Sequence, residues 1–202
     1  MKLRLALAAF TLAMAPACFV LGSAPDLSLA QARVSSDFTT YEIRRVGLLP
    51  FDGFQLTPER RRELQNAFHS EFSQSTPFEI VLLGESQLQE LIQSDPYIKG
   101  TYEPRTIIGL SQRFNLDAIF FGTITQERFF PPQVLSMQLD LVAAETGMVV
   151  WSSTIHLNAD DPRVAEGLQT YYGGIDKEVW QIAMLSPERF ARFAAFQMAC
   201  LL

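Results

Sequence analysis

The chain has 202 residues, with 16 Lys and Arg against 22 Asp and Glu and a net charge of −6. An acidic surface repels phosphate backbones, which excludes nucleic acid as a partner. The two cysteines cannot make a disulfide framework, and 48% hydrophobic residues suffice for the core of one domain.

Lys2 and Arg4 precede an uncharged apolar run from Leu5 to Gly22, the outline of an export signal. A membrane span needs roughly 20 apolar residues in a row, and this run is interrupted by Pro16 and followed by Ser23, Ala24, Pro25 and Asp26. Removal is therefore expected rather than anchoring. Ala30-Gln31-Ala32 has the small-x-small pattern of a signal-peptidase site, and a cut after Ala32 leaves Arg33 first. Ala15-Pro16-Ala17-Cys18 resembles a bacterial lipobox with Ala15 where Leu is preferred, and would instead make Cys18 the lipid-bearing amino terminus. The soluble form beginning at Arg33 is the expectation. Either route leaves Cys200 without an internal partner, and its neighbours Met198, Leu201 and Leu202 suggest a buried structural thiol.

Residues 33–43 read as a polar leader. Val46 to Phe51 is a short apolar run ended by Asp52-Gly53, the pattern of a strand covered on both faces. Thr57-Pro58-Glu59 supplies a capping hydroxyl, a proline for the first turn and an acid at the positive helix end. Leu64, Ala67, Phe68 and Phe72 follow at helical spacing. A second strand is read over Phe78 to Leu83, then a helix carrying Leu88, Leu91 and Ile92 up to the turn Ser94-Asp95-Pro96. A helix over Pro104 to Phe114 leads through Asn115-Leu116-Asp117 into a third buried strand, Ala118 to Thr125.

Phe129 to Gln133 is a loop, because two prolines cannot continue a ladder. Val134 to Ala143 alternates, with Leu135, Met137, Leu139 and Leu141 on one face and Ser136, Gln138 and Asp140 on the other. Glu145-Thr146-Gly147 turns the chain into a returning strand, Met148 to Leu157, whose apolar side is read as Val149, Trp151, Ile155 and Leu157. A helix around Val164 to Tyr171 precedes Gly173-Gly174, and Ser186-Pro187-Glu188 opens a last helix with the stripe Phe190, Phe193, Ala194, Met198 and Leu201. The fold class is α/β (α+β), a two-layer mixed sheet of about five strands with a carboxy-terminal antiparallel hairpin, covered by helices.

No catalytic, cofactor-binding or metal-binding residue emerges. His69 and His156 have no metal-ligand spacing, and Asp160-Asp161 with Asp140 reads as a solvated turn beside a strand. An enzyme would need Asp140, His156 and Asp160 gathered in one pocket. Gly122, alone within a strand, is assigned to close helix packing.

The strings RRVGLLPFD (Arg44 to Asp52), FEIVLLGESQLQELI (Phe78 to Ile92), LSQRFNLDAIFFGTIT (Leu110 to Thr125) and LDLVAAETGMVVWSSTI (Leu139 to Ile155) resemble a superfamily of bacterial envelope proteins. It includes the curli-export lipoprotein CsgG, the amino-terminal domain of TolB and the lipoprotein activators of penicillin-binding proteins. The resemblance covers about residues 44–160, brings no catalytic residues, and implies a scaffold, assembly or accessory role in the periplasm or at the outer membrane. Long membrane-crossing strands would be needed for a pore, and the loops here are too short for them. It implies protein partners in the envelope, self-association among them, with the membrane reached only through a lipid on Cys18. The division expected is a signal over 1–32, a leader over 33–43, the family-like domain over 44–160 and a helical extension over 161–202. A periplasmic small-molecule-binding protein is the alternative.

Overall fold

The computed structural model describes residues 28–53, 56–88, 103–173 and 185–202. Among the described residues seven strands form one sheet: β1 (Ala30–Val34), β2 (Arg45–Leu48), β3 (Asp52–Gly53), β4 (Glu79–Leu82), β5 (Ala118–Arg128), β6 (Val134–Ala143) and β7 (Val149–Asn158). The order across it is β1-β7-β6-β5-β2-β4, with β3 alongside β5. β2 runs parallel to both β4 and β5, whereas β5, β6, β7 and β1 are successively antiparallel. Four helices are described over their whole span, α1 (Pro58–Ser75), α2 (Pro104–Phe114), α3 (Pro162–Tyr171) and α4 (Pro187–Ala199), beside a 3-10 turn at Phe38–Thr40; residues 85–88 are helical as well.

All four helices carry proline in the first turn, where the missing N–H would have no partner. Thr57, Asp161 and Ser186 cap three of them, each side chain accepting a backbone N–H from Arg60, Arg163 and Arg189 respectively. Asn115 ends α2 in the left-handed region at φ 52°.

Strand alternation sends two sets of apolar side chains to opposite faces of the sheet. Val46, Phe120, Leu139, Leu141 and Trp151 meet Leu64, Phe68 and Phe72 of α1 and Phe193 and Met198 of α4 in the main core. Each such side chain, once buried, contributes about 1.5–3 kcal/mol. On the other face Ile119, Phe121 and Val142 pack beneath Ile107 and Leu110 of α2. That helix covers only the β2, β4 and β5 half, so a partial third layer joins the two expected. The remaining half is polar, with Gln31, Gln138, Thr154 and His156 exposed.

The sheet gains two strands that the local sequence pattern does not announce. β1 lies inside the stretch read as signal and leader, pairing with β7 from Ala30↔Ile155 to Val34↔Trp151. β3 is two residues long. The hairpin forms as expected, its turn fixed by Gly147 at φ 68°. A bulge between Leu141 and Val142 shifts the register, so Val150 is buried and Val149 is exposed, the reverse of simple alternation. Cys200 is exposed rather than buried, because it lies about 200° around the helix from Met198 and off the apolar stripe. Leu91, Ile92, the turn at Ser94-Asp95-Pro96 and Gly174 lie outside the described residues.

Candidate functional site

The β5–β6 connection is a short tip, Phe129-Phe130-Pro131-Pro132. Proline removes ladder donors and ends pairing here, while two contacts fix the loop and two ion pairs hold the residue that makes one of them. Nε of Arg128 donates to the carbonyl oxygen of Pro132 at 2.7 Å. The Arg60 guanidinium sits 4.6 Å from the centre of the Phe129 ring. Arg60 is itself held by Glu127 at 2.8 Å and Glu63 at 2.9 Å. Both members of the Arg60–Glu127 pair are nearly buried. Burial pushes the Glu127 carboxyl above its ordinary range; the hydrogen bond and charge of Arg60 oppose the shift, and Glu63 adds to it. Beyond this clamp Phe130 projects with 79% of its surface exposed. Beneath it Gln133 is buried, and neither polar atom of its amide has a partner.

At the opposite end of β5 lies an open cavity of 680 Å³. Its apolar lining comes from Tyr41 and Ile43 before β2, Ile108 on α2, and Leu116 and Ala144 at the sheet end. Ile108 is 42% exposed. Acidic groups stand at the rim: Glu42, Asp117 and Glu145, with Arg44 paired to Glu42. Asp117 holds the rim in place, because its Oδ2 accepts the backbone N–H groups of both Arg44 and Arg45 at 2.9 Å. The Tyr41 hydroxyl shares a hydrogen bond of 3.1 Å with Thr146, tying the segment before β2 to the β6–β7 turn.

The three residues an enzyme would have needed together are apart. Ser136 faces His156, with 2.6 Å between Oγ and Nδ1, while Asp140, four cross-strand pairs away, accepts from Ser152 and Gln138. The backbone N–H of Asp160 donates to Asn158 in the turn that follows β7. His69 lies on α1 with Nε2 3.2 Å from the carbonyl oxygen of Ile80. Among the described residues no group of three or more His, Cys, Asp or Glu could hold a metal ion. Gly122 faces the Phe51 ring, not a helix. Ala32 is an exposed residue in the middle of β1, and Cys18 lies outside the described residues.

Sequence reasoning placed the tip in a loop but assigned it no role; two adjacent phenylalanines before two prolines were the available signal. The groove had none, since it is assembled from segments near residues 41, 108, 116 and 144.

No protein-family model and no curated protein matches the chain. Among solved structures it is similar to the PelC dodecamer from Paraburkholderia phytofirmans, at 9% identity and a TM-score of 0.46, covering 81% of this chain and 96% of that one. It is also similar to lipoprotein GNA1162 from Neisseria meningitidis, at 15% identity and a TM-score of 0.44, covering 69% and 96%. A third similar structure is the LpoB carboxy-terminal domain from Escherichia coli, at 15% identity and a TM-score of 0.39, covering 66% and 98%.

Proposed function

We propose that this chain is an exported, non-catalytic envelope protein that works as a scaffold, assembly or accessory component through contacts with other proteins. The carrying observation is the tip: Phe130 is 79% exposed on a loop whose base is fixed by Arg60 and Arg128. A large aromatic side chain presented rigidly loses little freedom on docking, and such residues dominate binding energy at protein interfaces. Export is supported by Lys2 and Arg4 ahead of the apolar run, and the envelope by the resemblance to the CsgG and TolB amino-terminal domains over residues 44–160.

Strand β1 bears on how the leader is processed. A cut after Ala32 removes the buried Ala30 and leaves only Arg33 and Val34 of the strand, whereas processing at Cys18 keeps all five residues. The strand thus supports the lipid-bearing Cys18 form over the Arg33 form. Intact-mass measurement on chain recovered from envelope fractions tests this directly. An acylated chain beginning at Cys18 is the expected result, and full-length chain in the cytoplasm overturns the reading. Crosslinking in the envelope, compared between the native chain and Phe130→Asp, tests the contact role: loss of the crosslinked species is expected, and an unchanged pattern overturns it.

A further inference from the structure

The aromatic tip and the amphipathic groove are unmatched features at opposite poles of the same sheet, and we infer that they dock on each other between copies of this chain. β5 begins at Ala118 beside the groove and ends at Arg128 at the tip. From Ala118 to Arg128 the strand takes ten residue steps of about 3.3 Å, which separate them by roughly 33 Å. A chain therefore cannot fill its own groove.

Size and charge both select a second copy. The 680 Å³ of the groove falls within the roughly 300–1,000 Å³ range of sites that enclose compact groups, adequate for the Phe129-Phe130 tip. Ile108, Ile43 and Tyr41 offer the apolar surface a phenyl ring would cover. Arg128, exposed next to the tip, has no carboxylate partner among the described residues. Glu145 on the groove rim has no cationic one, and Asp117 adds a second carboxylate there. Tip into groove thus buries phenyl rings on apolar side chains while bringing the Arg128 guanidinium to the Glu145 carboxylate, with Asp117 adding negative charge nearby. A lipid surface is a poorer occupant, since a chain of net charge −6 is repelled by anionic headgroups.

Such a contact is heterologous: every copy gives its tip to one neighbour and its groove to another, so association continues beyond two until a ring closes or a filament grows. One tip buries little area, so each contact is weak and assembly depends on concentration. The inference deepens the assembly reading and rests on its claim that the chain acts through protein contacts. The two fail separately, because export is read by mass and fractionation whereas docking is read on purified protein.

The test is sedimentation velocity over a concentration series on the processed chain, Phe130→Asp, Ile108→Arg, and an equimolar mixture of the two variants. Both sites are exposed, so both variants should keep the fold, verified by circular dichroism. Expected are concentration-dependent oligomers for the native chain and association weakened about thirtyfold or more in each variant, the scale of a hot-spot loss. The mixture should stop at a dimer, because the intact groove of Phe130→Asp accepts the intact tip of Ile108→Arg. A monomeric native chain, variants that associate normally, or a mixture without dimer would overturn the inference. So would Phe130-dependent binding to phosphatidylcholine and phosphatidylglycerol vesicles by a chain that stays monomeric.

Discussion

The ring of Phe51 lies against the backbone of Gly122: a β-carbon built on that glycine would stand 2.3 Å from Cδ1 of the ring. The ring is also packed edge-on against Phe68, with centroids 4.9 Å apart, so it has no room to retreat. Glycine is required at the centre of β5 by this approach.

Gly122→Ala is accordingly expected to cost about 1–3 kcal/mol, the usual range for overpacking a filled core. Chemical denaturation reads the loss. Adding Phe51→Leu to the same chain should recover part of it, since the two changes share one contact; additive losses would refute the packing explanation.

Gln65 is a buried polar side chain whose Nε2 donates to the carbonyl oxygens of Leu48 and Leu83, both at 2.9 Å. It ties α1 to the ends of β2 and β4. Leu48 O also accepts the backbone N–H of Leu83, so removing the amide falls mainly on Leu83 O. Gln65→Met should cost about 1–3 kcal/mol, the penalty of a buried carbonyl left without a donor. A thermal melt unchanged by the substitution would mean that water replaces the amide.

The Arg60–Glu127 pair gives a signed pH prediction. Burial raises the Glu127 carboxyl above its ordinary 4.5, so the folded chain holds that proton more tightly than the unfolded one. Its contribution to stability is complete below the ordinary value and is lost as pH rises through the raised one. Glu127→Gln abolishes this titration. The stability of the native chain relative to Glu127→Gln should therefore increase as pH falls towards 4.5; a difference flat across that window would contradict it.

Processing has a thermodynamic readout as well. A chain beginning at Arg33 loses Ala30 from the core and the carbonyl oxygen of Gln31, which accepts the hydroxyl of the fully buried Ser153 at 3.0 Å. An orphaned buried hydroxyl costs about 1–3 kcal/mol, so this form should melt about 2–12 °C below one beginning at Ser28. Equal melting temperatures would remove the structural argument for keeping β1.

Local chemistry explains which parts of this architecture are legible in the sequence. The helix over Pro104–Phe114 follows from its proline start, apolar spacing and Asn115 stop, and the β6 strand from its strict alternation. β1 escapes because an edge strand with a single buried residue, Ala30, has no alternation to display. Val149 and Val150 exchange faces through a bulge that no single-strand pattern encodes. The tip is visible as an aromatic loop, but its importance depends on Arg60, far away on α1, and the groove exists only after distant segments meet.

The pairing of Ala30 with Ile155 places the first and last strands of the sheet side by side, and α1 packs against α4 in the same manner. Closing such long loops is slow and comes late. While the chain is being synthesised, β2, α1, β4 and β5 can pair and pack among themselves, whereas β1 has no strand to pair with until β7 has been made. The topology therefore leaves the β7 edge of the sheet open to the earliest-made strand, which is the last to find its place.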